Sequence, residues 1–202
     1  MRLYIMRHGE TDWNRQGKIQ GRADIPLNDN GRKLAQITAK RLQEIPFAAA
    51  VTSPLSRAAE TARIIMGDRV APVMADERIA ELAFGKGEGM TAKKDGVYLP
   101  VFENFFCHPQ RYVPLEGGET LPHLCRRTGE FLKDLSRRKE WKDQTILITT
   151  HGAAMRGLMI TIRGERLENF WMGNLVRNCG VTIVDETDGV YTVVEDGKVY
   201  YE

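Results

Sequence analysis

Two of the four histidines in this 202-residue chain stand at the ends of apolar runs. Leu3-Tyr4-Ile5-Met6 leads into Arg7-His8-Gly9, and Thr145-Ile146-Leu147-Ile148-Thr149-Thr150 leads into His151-Gly152. A neutral imidazole is a good nucleophile near neutral pH, and a guanidinium is always charged and binds two oxygens side by side. Arginine and histidines gathered in one place would make an anion pocket with a nucleophile in it. Arg57 is a further candidate, because Pro54 suits the opening of a helix and so puts Arg57 in a first turn, beside free amides that favour an anion. From that segment alone Arg57 reads equally well as an anion ligand or a solvated surface arginine.

These side chains need strands and helices to hold them. Short continuous apolar runs are the pattern of parallel strands covered on both faces, and ligands of open α/β sheets bind beyond the carboxyl ends of such strands. Phe47 to Thr52 is a third strand of this kind, and Pro72 to Ala75 reads as a short edge strand. Helices are expected after the Asn28-Asp29 cap, with Pro46 as the stop, after Ser53-Pro54, from Gly117-Gly118-Glu119-Thr120 to about Lys139, and from Ala153 to Ile162. Leu167 to Met172 reads as a short helix. Residues 180–186 and 190–195 alternate as strands joined at Asp188-Gly189, with another tight turn at Asp196-Gly197.

A net charge of +2, with acids and bases interspersed, argues against a nucleic-acid partner. Cys107, Cys125 and Cys179 are widely spaced and contain no Cys-x-x-Cys pair for zinc or redox work. The apolar run before Arg7 is too short for a signal peptide or a membrane span, so the expected location is the cytoplasm, with no membrane partner. No Gly/Ser/Pro-rich or charged linker divides the chain, which reads as one domain over residues 1–202.

Arg7-His8-Gly9-Glu10-Thr11, Ser53-Pro54-Leu55-Ser56-Arg57-Ala58-Ala59-Glu60-Thr61-Ala62 and Thr150-His151-Gly152, in this order, resemble the blocks of the histidine phosphatase superfamily, the phosphoglycerate mutase-like proteins. The resemblance runs from residue 1 to about residue 185. It implies an α/β fold, a three-layer sandwich with a mostly parallel central sheet and helices on both faces. It also implies a covalent phosphohistidine on His8, with Arg7, Arg57 and His151 around the phosphoryl group and neither cofactor nor metal. In the acidic loop the family likeness makes Glu81 the proton donor and Glu88 a second, structural acid. Asn14, at the matching Arg-His-Gly-Glu-Thr-x-x-Asn spacing, is expected at the phosphoryl group, with Thr11, Gln20 and Gly21 there or at the entrance. Gly87 stands where the family has an aromatic residue, a departure that bears on the shape of one pocket wall.

The chemistry follows from these residues. Phosphoryl transfer loads negative charge on the equatorial oxygens, which Arg7 and Arg57 suit, while His151 is expected to act as a cation beside them. The expected activity is hydrolysis of small phosphomonoesters. A phosphoglycerate mutase is the alternative, but the region around residues 92–114 offers only Lys93, Lys94 and Arg111 as basic groups for a doubly phosphorylated substrate. A non-catalytic phosphate-binding module would have been free to lose His8 or Glu81. Residues 86–118, with Tyr98, Phe102, Phe105, Phe106 and Tyr112, read either as a substrate-side cap or as an aromatic cluster packed on the domain. The assembly is left open between a monomer and a homodimer.

Overall fold

The computed structural model describes residues 1–174 and 176–201. The strand β1 (Arg2–Arg7) leads to a one-turn helix α1 (Asp12–Arg15), then to α2 (Asp29–Arg41), β2 (Phe47–Thr52), α3 (Ser56–Met66) and the short β3 (Val73–Ala75). A small hairpin of β4 (Lys93–Lys94) and β5 (Val97–Tyr98) precedes α4 (Pro100–Cys107). The order closes with α5 (Leu121–Ser136), β6 (Thr145–Thr150), α6 (Gly152–Arg163), β7 (Val181–Thr187) and β8 (Val190–Lys198). Six strands form one sheet in the order β3-β2-β6-β1-β7-β8. The first four are parallel, and β7 and β8 run antiparallel, so the sheet is mostly parallel.

The apolar runs are continuous because both faces are covered. Leu3 and Ile5 of β1 pack with Val51 and Ile148 against Phe131, Leu132 and Leu135 of α5 and Met155, Leu158 and Met159 of α6. Tyr4 and Met6 belong to the opposite layer, with Ala50 and Leu147 against Leu42, Ile65 and Met66 at the ends of α2 and α3. Side chains alternate along a strand, so a slip of one residue would exchange the two layers. With roughly 1.5–3 kcal/mol for each large apolar side chain buried, the register is strongly fixed.

That register sets the site. β1 pairs with β6 so that Arg7 lies opposite Thr150, and the His8 amide donates to the Thr150 carbonyl at 2.9 Å. His8 and His151 therefore leave adjacent strands at one level. Gly9 and Gly31 let the exit of β1 cross the start of α2, since a Cβ on Gly31 would stand 2.1 Å from the Glu10 carbonyl oxygen.

Several boundaries differ from the sequence expectation. α2 stops at Arg41, one turn before Pro46, and the Arg69 guanidinium donates to the Leu42 and Gln43 carbonyls at 2.8 Å, meeting groups the helix end leaves unpaired. α5 begins after Thr120, its cap, and ends at Ser136. Glu119 is therefore outside the first turn and faces Arg127, with Oε1 and Oε2 at 2.7 and 2.8 Å from its nitrogens. Only Leu167–Asn169 of the expected short helix forms, as a 3-10 turn. Asp196-Gly197 is not a chain reversal, because β8 continues through it and takes up one extra residue against β7 as a bulge. Among the described residues no helix is long and apolar enough to cross a membrane.

Gly31→Ala is expected to lower the unfolding free energy by about 1–3 kcal/mol, because a backbone oxygen blocks the new methyl group. Urea unfolding checks it; an unchanged midpoint and slope would mean that the crossing opens without cost.

Candidate active site

His8 follows β1 directly and is almost fully buried. Its Nδ1–H donates to the carbonyl of Gly9 at 2.7 Å, which leaves Nε2 as the free ring nitrogen. The His151 ring lies 5.1 Å away between centroids. The His151 Nε2 is 2.7 Å from Ser53 Oγ, the hydroxyl that follows β2. Ser53 Oγ also accepts from the Leu55 amide, so its own proton has the His151 Nε2 within reach. With that assignment the imidazole hydrogen sits on Nδ1, which is buried without a partner among the described residues.

Arg7 and Arg57 are held by carbonyls rather than by acids. Arg7 Nη1 donates to Val176 O at 2.6 Å. Arg57, on the first turn of α3 and fully buried, donates from Nη1 to Ala23 O and from Nη2 to Gly21 O, both at 2.8 Å. The two carbonyls are presented by a loop that Glu88 pins, because its carboxylate accepts from the amides of Arg22, Ala23 and Phe84 at 2.8, 2.9 and 3.1 Å. Gly21 has φ +53, and a Cβ there would stand 2.2 Å from Glu88 Oε1. Glycine is thus required both by the turn and by the close approach. Burial brings the Arg57 guanidinium down to about 10.

The amides are fixed in orientation. Asn14 Oδ1 accepts from the Thr11 amide at 3.2 Å and from Asn178 Nδ2 at 3.2 Å, so Asn14 Nδ2 is left free to face the cavity that Asn14 lines. Thr11 Oγ1 stands 3.0 Å from Gln20 Oε1, which frees the Gln20 amide nitrogen in the same manner. Thr11 itself is not on the wall; it caps α1 behind Asn14 and Gln20. Asn178 also donates to the His8 carbonyl at 3.0 Å. The sequence reading missed Asn178, since a lone asparagine before Cys179 carries no spacing signal.

Arg7, His8, Asn14, Gln20, Gly21, Arg57 and Glu81 line one cavity of about 250 Å³, with His151 packed behind His8. Glu81 lies at the start of α6, where its carboxylate accepts from the amides of Leu82, Ala153 and Ala154 at 2.8, 3.2 and 3.0 Å. The helix start orients the group. The remaining wall is apolar. Phe105 and Phe106 of α4 and Trp171 line it, with Phe106 stacked between Tyr98 at 4.4 Å and Trp171 at 5.5 Å. Phe102 and Tyr112 pack beneath, so the aromatic segment serves both as wall and as packing. The aromatic lacking at Gly87 has a substitute, because Phe102 ring atoms come within 3.1 Å of where its Cβ would be. Trp171, Arg156, Lys18 and Phe84 were not foreseen; they reach the cavity from four separate segments with no shared motif. His108 and His123 lie away from it and are solvent-exposed, and His123 contacts Glu119.

Burial, then Arg57, then Arg7 hold His8 well below the usual imidazole range, although its bond to Gly9 opposes this. The His8 ring is therefore neutral at neutral pH. The expected cationic His151 is not what this cavity holds: burial first, then Arg57, His8 and Arg7, push its pKa well down too. Its ring is neutral at neutral pH, with Nε2 toward the Ser53 hydroxyl. Among the described residues no cluster of three or more His, Cys, Asp or Glu could hold a metal ion.

The sequence profile of the histidine phosphatase superfamily (branch 1) matches residues 3–197. Phosphoserine phosphatase 1 of Hydrogenobacter thermophilus is 30% identical over 85% of this chain and 80% of its own length. The solved structure of Bacillus stearothermophilus YhfR superposes with a TM-score of 0.89 at 35% identity, over 98% of this chain and 97% of that one. The structure of Entamoeba histolytica phosphoserine phosphatase in complex with 3-phosphoglyceric acid has a TM-score of 0.84 at 28% identity, over 98% and 97%.

Both histidines titrate lower in the folded chain than the ordinary value near 6.5. Below that value the unfolded chain takes up protons the folded one refuses, so stability is full above it and falls as pH drops toward the folded pKa values. Between pH 7.5 and 5.5 both histidines are therefore expected to lower the unfolding free energy. His8→Gln should remove about half of this loss in urea titrations at the two pH values, and an identical pH dependence in the variant would overturn the assignment.

Proposed function

This chain belongs to the histidine phosphatase superfamily and is a hydrolase of phosphate esters, and on that premise we propose that it hydrolyses small phosphomonoesters through a phosphohistidine on His8. The observation that carries the reading is His8 Nε2, free and neutral beside half-buried Arg7 and buried Arg57, whose charges no carboxylate among the described residues pairs with. In the first step Nε2 attacks phosphorus and the ester P–O bond breaks. Glu81 gives its proton to the departing oxygen. In the second step the Glu81 carboxylate takes a proton from water as that water attacks phosphorus, the N–P bond breaks, and phosphate leaves.

Arg7, Arg57 and the Asn14 and Gln20 amides are the donors for the transferring oxygens, and His151 supports His8 from behind at 5.1 Å between ring centroids. The donors are already oriented, so little reorganisation is needed when charge builds up. Thr11 acts through Asn14 and Gln20, and Gly21 through its carbonyl on Arg57.

Lys93, Lys94 and Arg111, the basic groups the sequence offered for a doubly phosphorylated substrate, are absent from the cavity wall, where Lys18 and Arg156 are the cations besides Arg7 and Arg57, and Lys93 instead sits over the Tyr98 ring at 4.2 Å. A silent phosphate-binding module would not need Glu81 aimed into the cavity. Residues 86–118 act as a cap on a single domain, and the apolar wall at Phe105 and Phe106 favours an organic leaving group. The free cysteines suit a reducing compartment, and the cytoplasm is the inferred location.

Wild-type protein is expected to hydrolyse para-nitrophenyl phosphate in excess EDTA, and His8→Ala to lose at least about 10³-fold in kcat. Substantial turnover by the variant would sink the nucleophile assignment. Glu81→Gln should slow alkyl phosphates by about 10²–10⁴-fold and nitrophenyl phosphate far less, because only a poor leaving group needs the proton. Equal slowing of both would remove Glu81 as the acid. Phe105→Ala with Phe106→Ala should alter the relative rates across a panel of aryl and alkyl phosphates; unchanged ratios would make the aromatic wall mere packing.

A further inference from the structure

The Gly117-Gly118-Glu119-Thr120 segment leads into α5, and the phosphoryl chemistry leaves it without a task. Its glutamate faces Arg127 in the middle of that helix, a side chain almost fully buried. Arg127 Nε and Nη2 donate to the two Glu119 oxygens at 2.7 and 2.8 Å. Its Nη1 donates to the carbonyls of Arg78 and Ala80, both at 2.7 Å, and Nη2 donates again to the Glu81 carbonyl at 3.1 Å. All five N–H donors of the guanidinium are thus occupied. Three of them hold the segment that carries Glu81.

The carbonyl left over in that run, Ile79 O, accepts from the Thr150 hydroxyl at 2.7 Å. Residues 78–81 are therefore fastened both to α5 and to the strand from which His151 leaves. Beyond Glu81 the glycine-rich segment takes over. Phe84 and Gly118 form an antiparallel bridge, and the Glu119 amide donates to Ala83 O at 2.8 Å. A Cβ on Gly118 would stand 2.9 Å from Leu115 O and 3.3 Å from Ala83 O, so glycine permits the close approach. The backbone around the acid is held on both sides, directly after it and through Arg127 before it.

Neither Arg127 nor Glu119 lines the cavity. Burial alone would raise the Glu119 carboxyl, but the bonds from Arg127 bring it below its ordinary range, so the pair is ionised at neutral pH. The Glu81 carboxylate is already oriented by the amides of Ala153 and Ala154. Those bonds aim it reproducibly only if the backbone behind it is fixed too. Misplacing a reacting group by about 1 Å costs about 100-fold in rate.

We propose that Arg127, locked by Glu119, is a positioning residue for the proton donor, holding the Glu81 backbone so that the carboxyl meets the leaving oxygen. This rests on the reading of Glu81 as the acid and adds what aims it. A lysine keeps the charge but cannot span a carboxylate and three carbonyls, because an ammonium has three donors and no planar fork.

The test compares kcat/KM for phenyl phosphate with kcat/KM for para-nitrophenyl phosphate, two esters of similar shape whose leaving groups differ in their need for a proton. Both are measured on one preparation, so the ratio does not depend on how much of a variant is folded. Arg127→Lys is expected to lower the phenyl-to-nitrophenyl ratio by about tenfold or more, and Glu119→Gln by at least about threefold. Once Glu81→Gln is present, adding Arg127→Lys should leave the ratio within about twofold, because no acid remains to be aimed. If Arg127→Lys gives no active protein, Glu119→Gln, which keeps the arginine on its carbonyls, decides alone. A ratio unchanged in these variants while Glu81→Gln lowers it overturns the proposal and leaves the acid reading standing. A further fall on adding Arg127→Lys to Glu81→Gln also overturns it, since the arginine would then act by another route. No change in Glu81→Gln itself removes the acid reading and the proposal with it.

Discussion

Arg57 is fully buried, and the groups that meet its guanidinium are the carbonyls of Gly21 and Ala23. Arg7 and Arg156 follow the same pattern, with Val176 for one and Met172 and Asn174 for the other. A buried cation without a counter-charge is costly, and the carbonyl bonds repay only part of that cost. The arrangement makes sense as a standing demand for an anion. A carboxylate partner would stabilise the fold and cancel the field on which binding depends. Much of the surrounding structure keeps those carbonyls in place: Glu88 pins the loop at residues 22–23, and Asn174 bonds to the Asp196 carbonyl at 2.8 Å.

The same field acts on the histidines. Complete burial and two positive neighbours make imidazolium unfavourable, so the His8 ring is neutral without any base to deprotonate it. A single hydrogen bond to the next residue's carbonyl then fixes which ring nitrogen stays free. Geometry comes from the sheet and reactivity from electrostatics. Neither would suffice alone, because a free imidazole at a surface turn would be half protonated near its ordinary pKa and would have no fixed direction.

The aromatic wall of the cavity is built from several segments. Phe105 packs edge-on to Phe84 at 5.0 Å and to Trp171 at 5.2 Å, and the Trp171 indole donates to the Phe105 carbonyl at 2.6 Å. Segments far apart in the chain meet there, with α4 on one side and the turn after α6 on the other. The wall's shape is thus set by packing among segments remote in the chain.

The sequence by itself determined the strands and the residues they end in. The runs before His8 and His151 are local, continuous and apolar, so length and alternation identify them, and the Arg-His-Gly, Ser-Pro-Leu-Ser-Arg and Thr-His-Gly blocks named the family and with it the set Arg7, His8, Arg57, Glu81 and His151. Helix ends were less legible because they depend on partners remote in sequence, such as Arg69 for the end of α2 and Arg127 for Glu119. The bulge at Asp196-Gly197 was hidden for the same reason, since only the register against β7 tells a bulge from a turn. Only the tertiary structure decided that Asn178 locks Asn14, that Phe102 fills the place left by Gly87, that His151 is neutral, and that Arg156 and Lys18 share a cavity with His8. Each of these is a matter of distance between segments, or of burial, and neither quantity is written in the order of residues along a chain.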